Sequence, residues 1–176
     1  MNYADIKQYD VANGIGVRVS LFVSGCTHHC KECFNKETWD FNYGKPFMQR
    51  EIDAIIRYME PDYVAGLTIL GGEPMEPSNQ EGILPLIRRV RECYPQKTIW
   101  CYTGYLFDKD IMERMYPESE TTREIISNLD ILVDGEFILE RKNLQINFRG
   151  SDNQRIIDVK KSLETGAVVR WEGEKC

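Results

Sequence analysis

Residues 17–33 read VRVSLFVSGCTHHCKEC, and this stretch decides how the rest of the chain is interpreted. Its first seven residues, Val17–Val23, are mostly apolar and include three β-branched valines, which predicts a buried strand that ends at Ser24-Gly25. Three thiols follow within eight residues, at Cys26, Cys30 and Cys33, in the spacing C-x3-C-x2-C. The stretch therefore predicts a strand that delivers a metal-binding loop to one edge of a sheet.

The spacing of these thiols suits three corners of a cubane iron–sulfur cluster. Such clusters normally take four cysteine thiolates. A loop with three leaves one iron without a protein ligand, and an open metal position is what a catalytic centre keeps. An electron carrier gains nothing from that opening, so the loop predicts chemistry at the cluster.

Other uses of the cysteines remain open on spacing alone. A structural zinc site of the Cys3His type could take His28 or His29 as its fourth ligand. The six cysteines could also form three disulfides, although that pattern is typical of short secreted chains. Cys93, Cys101 and Cys176 lie outside the motif and are expected to take no part.

Composition excludes several classes of protein. The 176 residues fit one domain over residues 1–176, with 42% hydrophobic and 28% charged residues. A formal net charge of −6 argues against a nucleic-acid partner. Residues 1–6 do not resemble a signal peptide, and no run approaches the roughly 18 apolar residues of a membrane span. We therefore expect a cytoplasmic protein without a membrane partner.

Strands and helices alternate along the chain. Helices are predicted after Pro46 and up to Pro61, over 81–93 with Pro85 in the first turn, and around 108–116 and 121–127. The predicted strands are 17–23, 67–70, 98–102, 131–133, 144–148 and 167–171.

This alternation predicts an α/β fold with a parallel sheet. Nearly every predicted strand ends in a polar turn with a glycine, and ligand sites of such folds lie at the carboxyl ends of the strands. A full eight-unit barrel typically needs about 250 residues. We therefore predict an incomplete, open (β/α) barrel of about five to six parallel strands, whose open side suits a large substrate.

The cysteine motif followed by Gly71-Gly72-Glu73-Pro74 resembles the radical S-adenosylmethionine superfamily. Further blocks resemble one family within it, the anaerobic ribonucleoside-triphosphate reductase-activating proteins. These blocks are Gly25-Cys26-Thr27-His28, Cys30-x-x-Cys33-Phe34-Asn35, Tyr102-Thr103-Gly104-Tyr105, Val133-Asp134-Gly135-x-Phe137 and Arg149-Gly150-Ser151-x-Asn153-Gln154-Arg155.

The resemblance implies a [4Fe–4S] cluster on Cys26, Cys30 and Cys33, with S-adenosylmethionine on the fourth iron. An electron from a flavodoxin-like or ferredoxin-like donor would cleave this cofactor into methionine and a 5′-deoxyadenosyl radical. That radical would take a hydrogen atom from a glycine of the partner, the anaerobic ribonucleotide reductase. No general base is required for this reaction. The nearest alternative is an activase for a pyruvate formate-lyase, although those relatives are generally longer.

The resemblance also implies a set of contacts to S-adenosylmethionine. Gly71, Gly72, Glu73 and Pro74 would receive the methionine amino group. Asp134 would accept the ribose hydroxyls, and Arg149 would pair with the carboxylate. Ser151, Asn153 and Gln154 would contact cofactor or reductase, as would Arg155. Turn formation and capping are the alternative roles for these residues, and Trp39, Tyr102 and Tyr105 are expected to be packing residues.

Overall fold

A seven-stranded sheet organises residues 1–173, the part of the chain that the computed structural model describes. Across the sheet the order is β3-β1-β2-β4-β5-β6-β7, so β3 and β7 are its edges and the sheet is open. The neighbours β2, β4, β5 and β6 are parallel, whereas β1, β3 and β7 pair antiparallel. The strands are β1 (Asn2–Asp10), β2 (Val17–Val23), β3 (Lys45–Pro46), β4 (Val64–Gly71), β5 (Thr98–Tyr102), β6 (Ile131–Asp134) and β7 (Arg155–Asp158).

Five α-helices lie within the described residues: α1 (Gln49–Tyr58), α2 (Pro77–Cys93), α3 (Tyr116–Glu118), α4 (Glu120–Asn128) and α5 (Val159–Thr165). A π-helical segment, Phe107–Met115, leads into α3, and short 3₁₀ turns cover Lys36–Trp39 and Leu139–Arg141. Between residues 1 and 173 none of the helices combines the length and apolar character that a bilayer crossing requires.

The two faces of the sheet are covered differently because side chains alternate along each strand. On β2, Val19, Leu21 and Val23 are fully buried in the main core, which they share with residues of the helices. The other face forms a second cluster around Trp100, whose ring packs against Phe148 at 5.5 Å and Trp171 at 5.3 Å. The segment after β6 therefore covers the face that the helices leave free.

A buried cation holds the amino ends of the parallel strands together. Arg18 is 1% exposed, and its guanidinium donates to Thr68 Oγ1 at 2.7 Å, to the Leu67 carbonyl at 2.7 Å and to Thr98 Oγ1 at 3.0 Å. It also lies over the Trp100 ring, 5.3 Å from its centre. Burial lowers the pKa of Arg18 to about 10. These hydrogen bonds of Arg18 join β2, β4 and β5 at the end of the sheet opposite the cysteine motif.

The α/β class is confirmed, but the strand prediction is wrong in three places. Four strands are mutually parallel, fewer than the five to six predicted. Residues 144–148 form turns, with Phe148 at φ 59°, and β7 follows instead. Residues 167–171 contribute only the bridge between Ile157 and Arg170. The polar strand β1, which lies between β3 and β2, was not predicted, because Asp5, Lys7, Gln8 and Asp10 interrupt its apolar residues.

Helix α2 begins at Pro77, four residues before the predicted start. Proline is favoured at the first helical position, but the polar residues that follow it hide the apolar period. The earlier start puts Pro85 inside the helix and not in its first turn, which corrects that expectation. An interior proline removes a backbone hydrogen bond, so this position weakens α2.

Candidate active site

A cavity of about 650 Å³ opens at the carboxyl ends of the parallel strands. Its wall is built from the cysteine loop (residues 24–35, after β2), the β4 loop (72–76), the β5 loop (103–106) and the β6 loop (135–138). Residues 144–154 close another side. The predicted convergence of strand-end loops on one site is therefore seen in the fold.

All three motif thiols line this cavity. Cys26 is 8% exposed, and Cys30 and Cys33 are partly exposed. The loop is held by backbone hydrogen bonds from Gly25 N to the Thr38 carbonyl at 2.7 Å and from Cys33 N to the Cys30 carbonyl at 3.1 Å. Burial raises the pKa of Cys26 to about 11 and also raises that of Cys30. Metal loading must therefore displace protons from these thiols.

The arrangement does not suit a single zinc ion. Within residues 1–173 no three His, Cys, Asp or Glu side chains are placed to hold one metal ion. Both ring nitrogens of His28 face carboxylates, and the His29 ring packs on Trp39 at 4.6 Å. A cubane gives each thiolate its own iron, so the three cysteines suit a cluster better than one ion. The five cysteines of the described part are free, and Cys176 lies outside it.

Glu73 lies at the cavity wall, but groups of the protein itself occupy all the hydrogen-bonding sites of its carboxylate. Oε1 accepts hydrogen bonds from Met75 N at 2.8 Å and Thr103 Oγ1 at 2.7 Å. Oε2 accepts from Gly104 N at 2.7 Å and lies 3.0 Å from His28 Nε2. A carboxylate offers about four lone-pair sites, and all four are used. Glu73, which is 1% exposed, thus ties three loops of the wall together.

The two glycines before Glu73 let the β4 loop approach the cysteine loop. Gly71 has φ +110°, and a Cβ there would lie 2.7 Å from Val23 N. A Cβ on Gly72 would lie 2.6 Å from the Gly25 carbonyl oxygen. Both glycines line the cavity, whereas Pro74 is buried behind it. Only residues without a Cβ permit this approach.

His28 bridges two acidic side chains. Its Nε2 lies 3.0 Å from Glu73 Oε2, and its Nδ1 lies 2.9 Å from Glu136 Oε1. Burial disfavours the charged ring, but the hydrogen bonds and charges of these two carboxylates outweigh burial and raise the pKa of His28 to about 9. The ring also meets Tyr105 edge-on, with centres 4.5 Å apart. The two carboxylates that face its two nitrogens therefore favour the protonated ring of His28.

Asp134 lies beneath the cavity and does not line it. It is completely buried, and Arg155 donates Nε to its Oδ1 at 2.9 Å and Nη2 to its Oδ2 at 2.5 Å. Phe107 N also donates to Oδ2, at 2.8 Å. Arg155 pairs in addition with Asp108 at 2.7 Å. The carboxylate predicted to meet a ribose is thus occupied by the protein.

The block that follows residue 148 folds over the β6 loop. Arg149 and Gln154 line the cavity, and Gln154 Nε2 donates to the Gly135 carbonyl at 2.9 Å. Ser151 and Asn153 do not line it. Ser151 Oγ accepts from the β6 loop backbone at 3.2 Å, and Asn153 Nδ2 donates to that backbone at 2.8 Å. The block therefore supplies three residues to the wall, Arg149, Gly150 and Gln154, and two to its support, Ser151 and Asn153.

Several buried donors at the wall have no partner within residues 1–173. They are Trp39 Nε1, Tyr102 OH and Arg149 Nε. Buried polar groups are normally hydrogen-bonded, so such donors indicate a ligand with acceptor atoms. Carboxylate and ribose oxygens have that chemistry, and the residues present therefore fit the cofactor that the resemblance implies. Trp39 and Tyr102 were expected only to pack, and the position of Tyr102 at the end of β5 was the available signal.

Comparison with known proteins agrees with this geometry. Residues 12–157 match the family described as a 4Fe-4S single cluster domain. The chain is 38% identical over 156 residues to the anaerobic ribonucleoside-triphosphate reductase-activating protein of Escherichia coli strain K12, which covers 88% of this chain and 96% of that relative. This chain belongs to the family of anaerobic ribonucleoside-triphosphate reductase-activating proteins.

Two further members of this activating-protein family are similarly close. The one from Enterobacteria phage T4 is 38% identical over 158 residues, covering 89% of this chain and 93% of the relative. The one from Haemophilus influenzae is 39% identical over 158 residues, covering 89% and 97%. Each alignment spans nearly the whole relative, so the family identified from the sequence blocks is confirmed.

Proposed function

We propose that this protein is a radical S-adenosylmethionine activase that installs a glycyl radical on an anaerobic ribonucleotide reductase in the cytoplasm. The observation that carries the proposal is the set of three thiols on one cavity wall, with unpartnered buried donors on the same wall. The names of the relatives support the reductase as partner. The four parallel strands with their loops on one face are consistent with a partial radical S-adenosylmethionine barrel.

Cys26, Cys30 and Cys33 would hold a [4Fe–4S] cluster, and the cavity beside them would hold S-adenosylmethionine. When bound, the pair supplies one-electron cleavage of a carbon–sulfur bond and, from it, removal of a hydrogen atom from a glycine α-carbon. A flavodoxin-like or ferredoxin-like protein would supply the electron. The chain itself contributes binding, orientation and exclusion of water.

The cavity residues divide this work. The Arg149 guanidinium would pair with the cofactor carboxylate, since its buried Nε is unpartnered within the described residues and its fork matches that group. The backbone of Gly71 and Gly72 would receive the amino group, because the Glu73 carboxylate is already filled. Tyr102 OH would donate to a further acceptor atom of the cofactor.

Four other predicted residues would act from behind the wall. Asp134 would hold Arg155 and the start of the π-helical segment, and Pro74 would fix the turn after Glu73. Ser151 and Asn153 would hold the β6 loop.

Exposed apolar side chains near the cavity mouth support a protein partner. Phe34 is 60% exposed, Ile138 38% and Leu144 78%, and both Phe34 and Leu144 line the cavity. Exposed apolar groups next to a site mark interaction surfaces. The reductase segment that carries the glycine would approach over them.

The test is made without oxygen. The protein is reconstituted with iron and sulfide, reduced, and mixed with S-adenosylmethionine and the candidate reductase. Methionine and 5′-deoxyadenosine are quantified, and a glycyl radical is sought by electron paramagnetic resonance. Cys30→Ser should abolish both, whereas Cys93→Ser, outside the cavity wall, should leave both unchanged. Equal activity in the Cys30→Ser protein would refute the cluster assignment, and a radical formed only on a pyruvate formate-lyase would refute the partner.

A further inference from the structure

His28 joins the cysteine loop to two other loops of the site. Its side chain is 10% exposed, and its nitrogens lie 3.0 Å from Glu73 and 2.9 Å from Glu136. Glu73 belongs to the β4 loop and is 1% exposed, whereas the Glu136 side chain belongs to the β6 loop and is 54% exposed. The imidazole therefore spans from a buried anchor to a carboxylate at the surface.

The β5 loop packs against the His28 ring and restricts its position. A Cβ on Gly104 would lie 2.6 Å from His28 Cδ2, so the ring lies directly against the backbone there. Tyr105 meets its edge from the same loop. A ring confined in this way presents its two nitrogens in fixed directions, and a side chain with a single polar end cannot contact both carboxylates.

A pair of aromatic side chains also joins the β6 loop to the cysteine loop. The rings of Phe34 and Phe137 pack with centres 5.1 Å apart. Burial raises the pKa of the Cys30 thiol, and the Phe137 backbone opposes that rise. The β6 loop thus contacts the cysteine loop through the His28–Glu136 pair and through the Phe34–Phe137 ring pair.

We propose that His28 is a positioning residue that clamps the cysteine loop between Glu73 and Glu136, and so holds the β6 loop, with Phe137 packed on Phe34, against the cysteine loop. This inference deepens the proposed function and rests on it for the identity of the group that Cys30 binds. The charge, the hydrogen bonds and the solvent exposure around an iron–sulfur cluster help to set its potential. The clamp therefore acts on the electron-accepting step through the loop, without touching the cofactor.

The test compares His28→Asn with His29→Asn in the reconstituted protein. Asparagine is too short to span both carboxylates, and it tolerates the left-handed backbone of His29, whose φ is 52°. In His28→Asn, hydrogen exchange should become at least about tenfold faster in residues 24–35 and 134–138, since a charge-assisted pair is lost. The cluster should also reduce at a more negative potential. His29→Asn should change neither quantity.

Equal exchange rates and equal potentials in the two variants would overturn the clamp. If His28→Asn fails to fold, Glu136→Gln carries the test, because Glu136 is exposed and dispensable for the core. It should speed exchange in residues 134–138 and shift the potential in the same direction, and no change in either would overturn the proposal. Faster exchange does not depend on cofactor cleavage, so failure of the proposed function and failure of the clamp give different results.

Discussion

Replacement of Asp134 by asparagine distinguishes two roles for this residue: structural support of the site and direct contact with a ligand. Asp134 is completely buried and accepts two hydrogen bonds from Arg155 and one from Phe107 N. An asparagine keeps one acceptor but turns an N–H₂ group toward donors. We therefore expect a large loss of stability even without any cofactor.

The size of that loss follows from the contacts. Removing one partner of a buried ion pair costs about 3–5 kcal/mol. Arg155 is 19% exposed and keeps Asp108, which places the cost at the lower end, about 3 kcal/mol. For a chain of this size each kcal/mol lowers Tm by about 2–4 °C, so the expected fall is about 6–12 °C.

The assay is thermal and urea unfolding of the reduced, metal-free protein. Asp108→Asn is the matched control, since its carboxylate contacts the same guanidinium but its side chain is 41% exposed. An exposed pair contributes at most about 1 kcal/mol. A loss below about 1 kcal/mol in Asp134→Asn, or an equal loss in both variants, would refute the supporting role. Impaired S-adenosylmethionine binding at unchanged stability would instead favour direct contact with the ribose.

Three further predictions concern stability. Pro85→Ala should raise the free energy of unfolding in urea by about 1–2 kcal/mol. A proline inside a helix costs about 3 kcal/mol, and the smaller conformational entropy that proline gives the unfolded chain offsets only part of that cost. A lower free energy of unfolding in the variant would contradict this prediction. Gly71→Ala should lower the free energy of unfolding by more than about 2 kcal/mol, since the new Cβ would lie 2.7 Å from the Val23 backbone and φ is +110°. An unchanged free energy of unfolding would contradict this, because it would mean that the loop can move to accept the Cβ. Burial opposes ionisation of Asp130, but two cations and a backbone N–H outweigh it and lower its pKa. The ionised Asp130 therefore stabilises the fold above about pH 4, and this effect is lost on acidification. The difference in unfolding free energy between wild type and Asp130→Asn should accordingly become smaller as the pH falls. A difference that stays constant from pH 7 to pH 3 would show that the Asp130 ion pairs do not stabilise the protein.

The fold was predictable where local pattern and tertiary environment agree. Strands β2 and β5 have the predicted bounds, because each is an apolar run buried by the parallel sheet and closed by a polar turn. The antiparallel side of the sheet was not predictable in the same way. Strand β1 is largely polar, with charged residues at Asp5, Lys7 and Asp10, and it exists through pairing with β2. Residues 144–148 have an apolar pattern but bend at Phe148 to cover Trp100.

The sequence alone determined the family to which this protein belongs. Three thiols in one loop, two glycines after the next parallel strand and the block beginning at Arg149 were sufficient to identify the family, because ligand type and backbone freedom are local properties of residues. Only the tertiary structure decided which polar groups are free to meet a ligand. Glu73 and Asp134 are filled by partners distant in sequence, whereas Tyr102 keeps an unpartnered hydroxyl within the described residues. Hydrogen-bond partners come from segments that are distant in the sequence, so a motif cannot show which of its atoms the protein already uses.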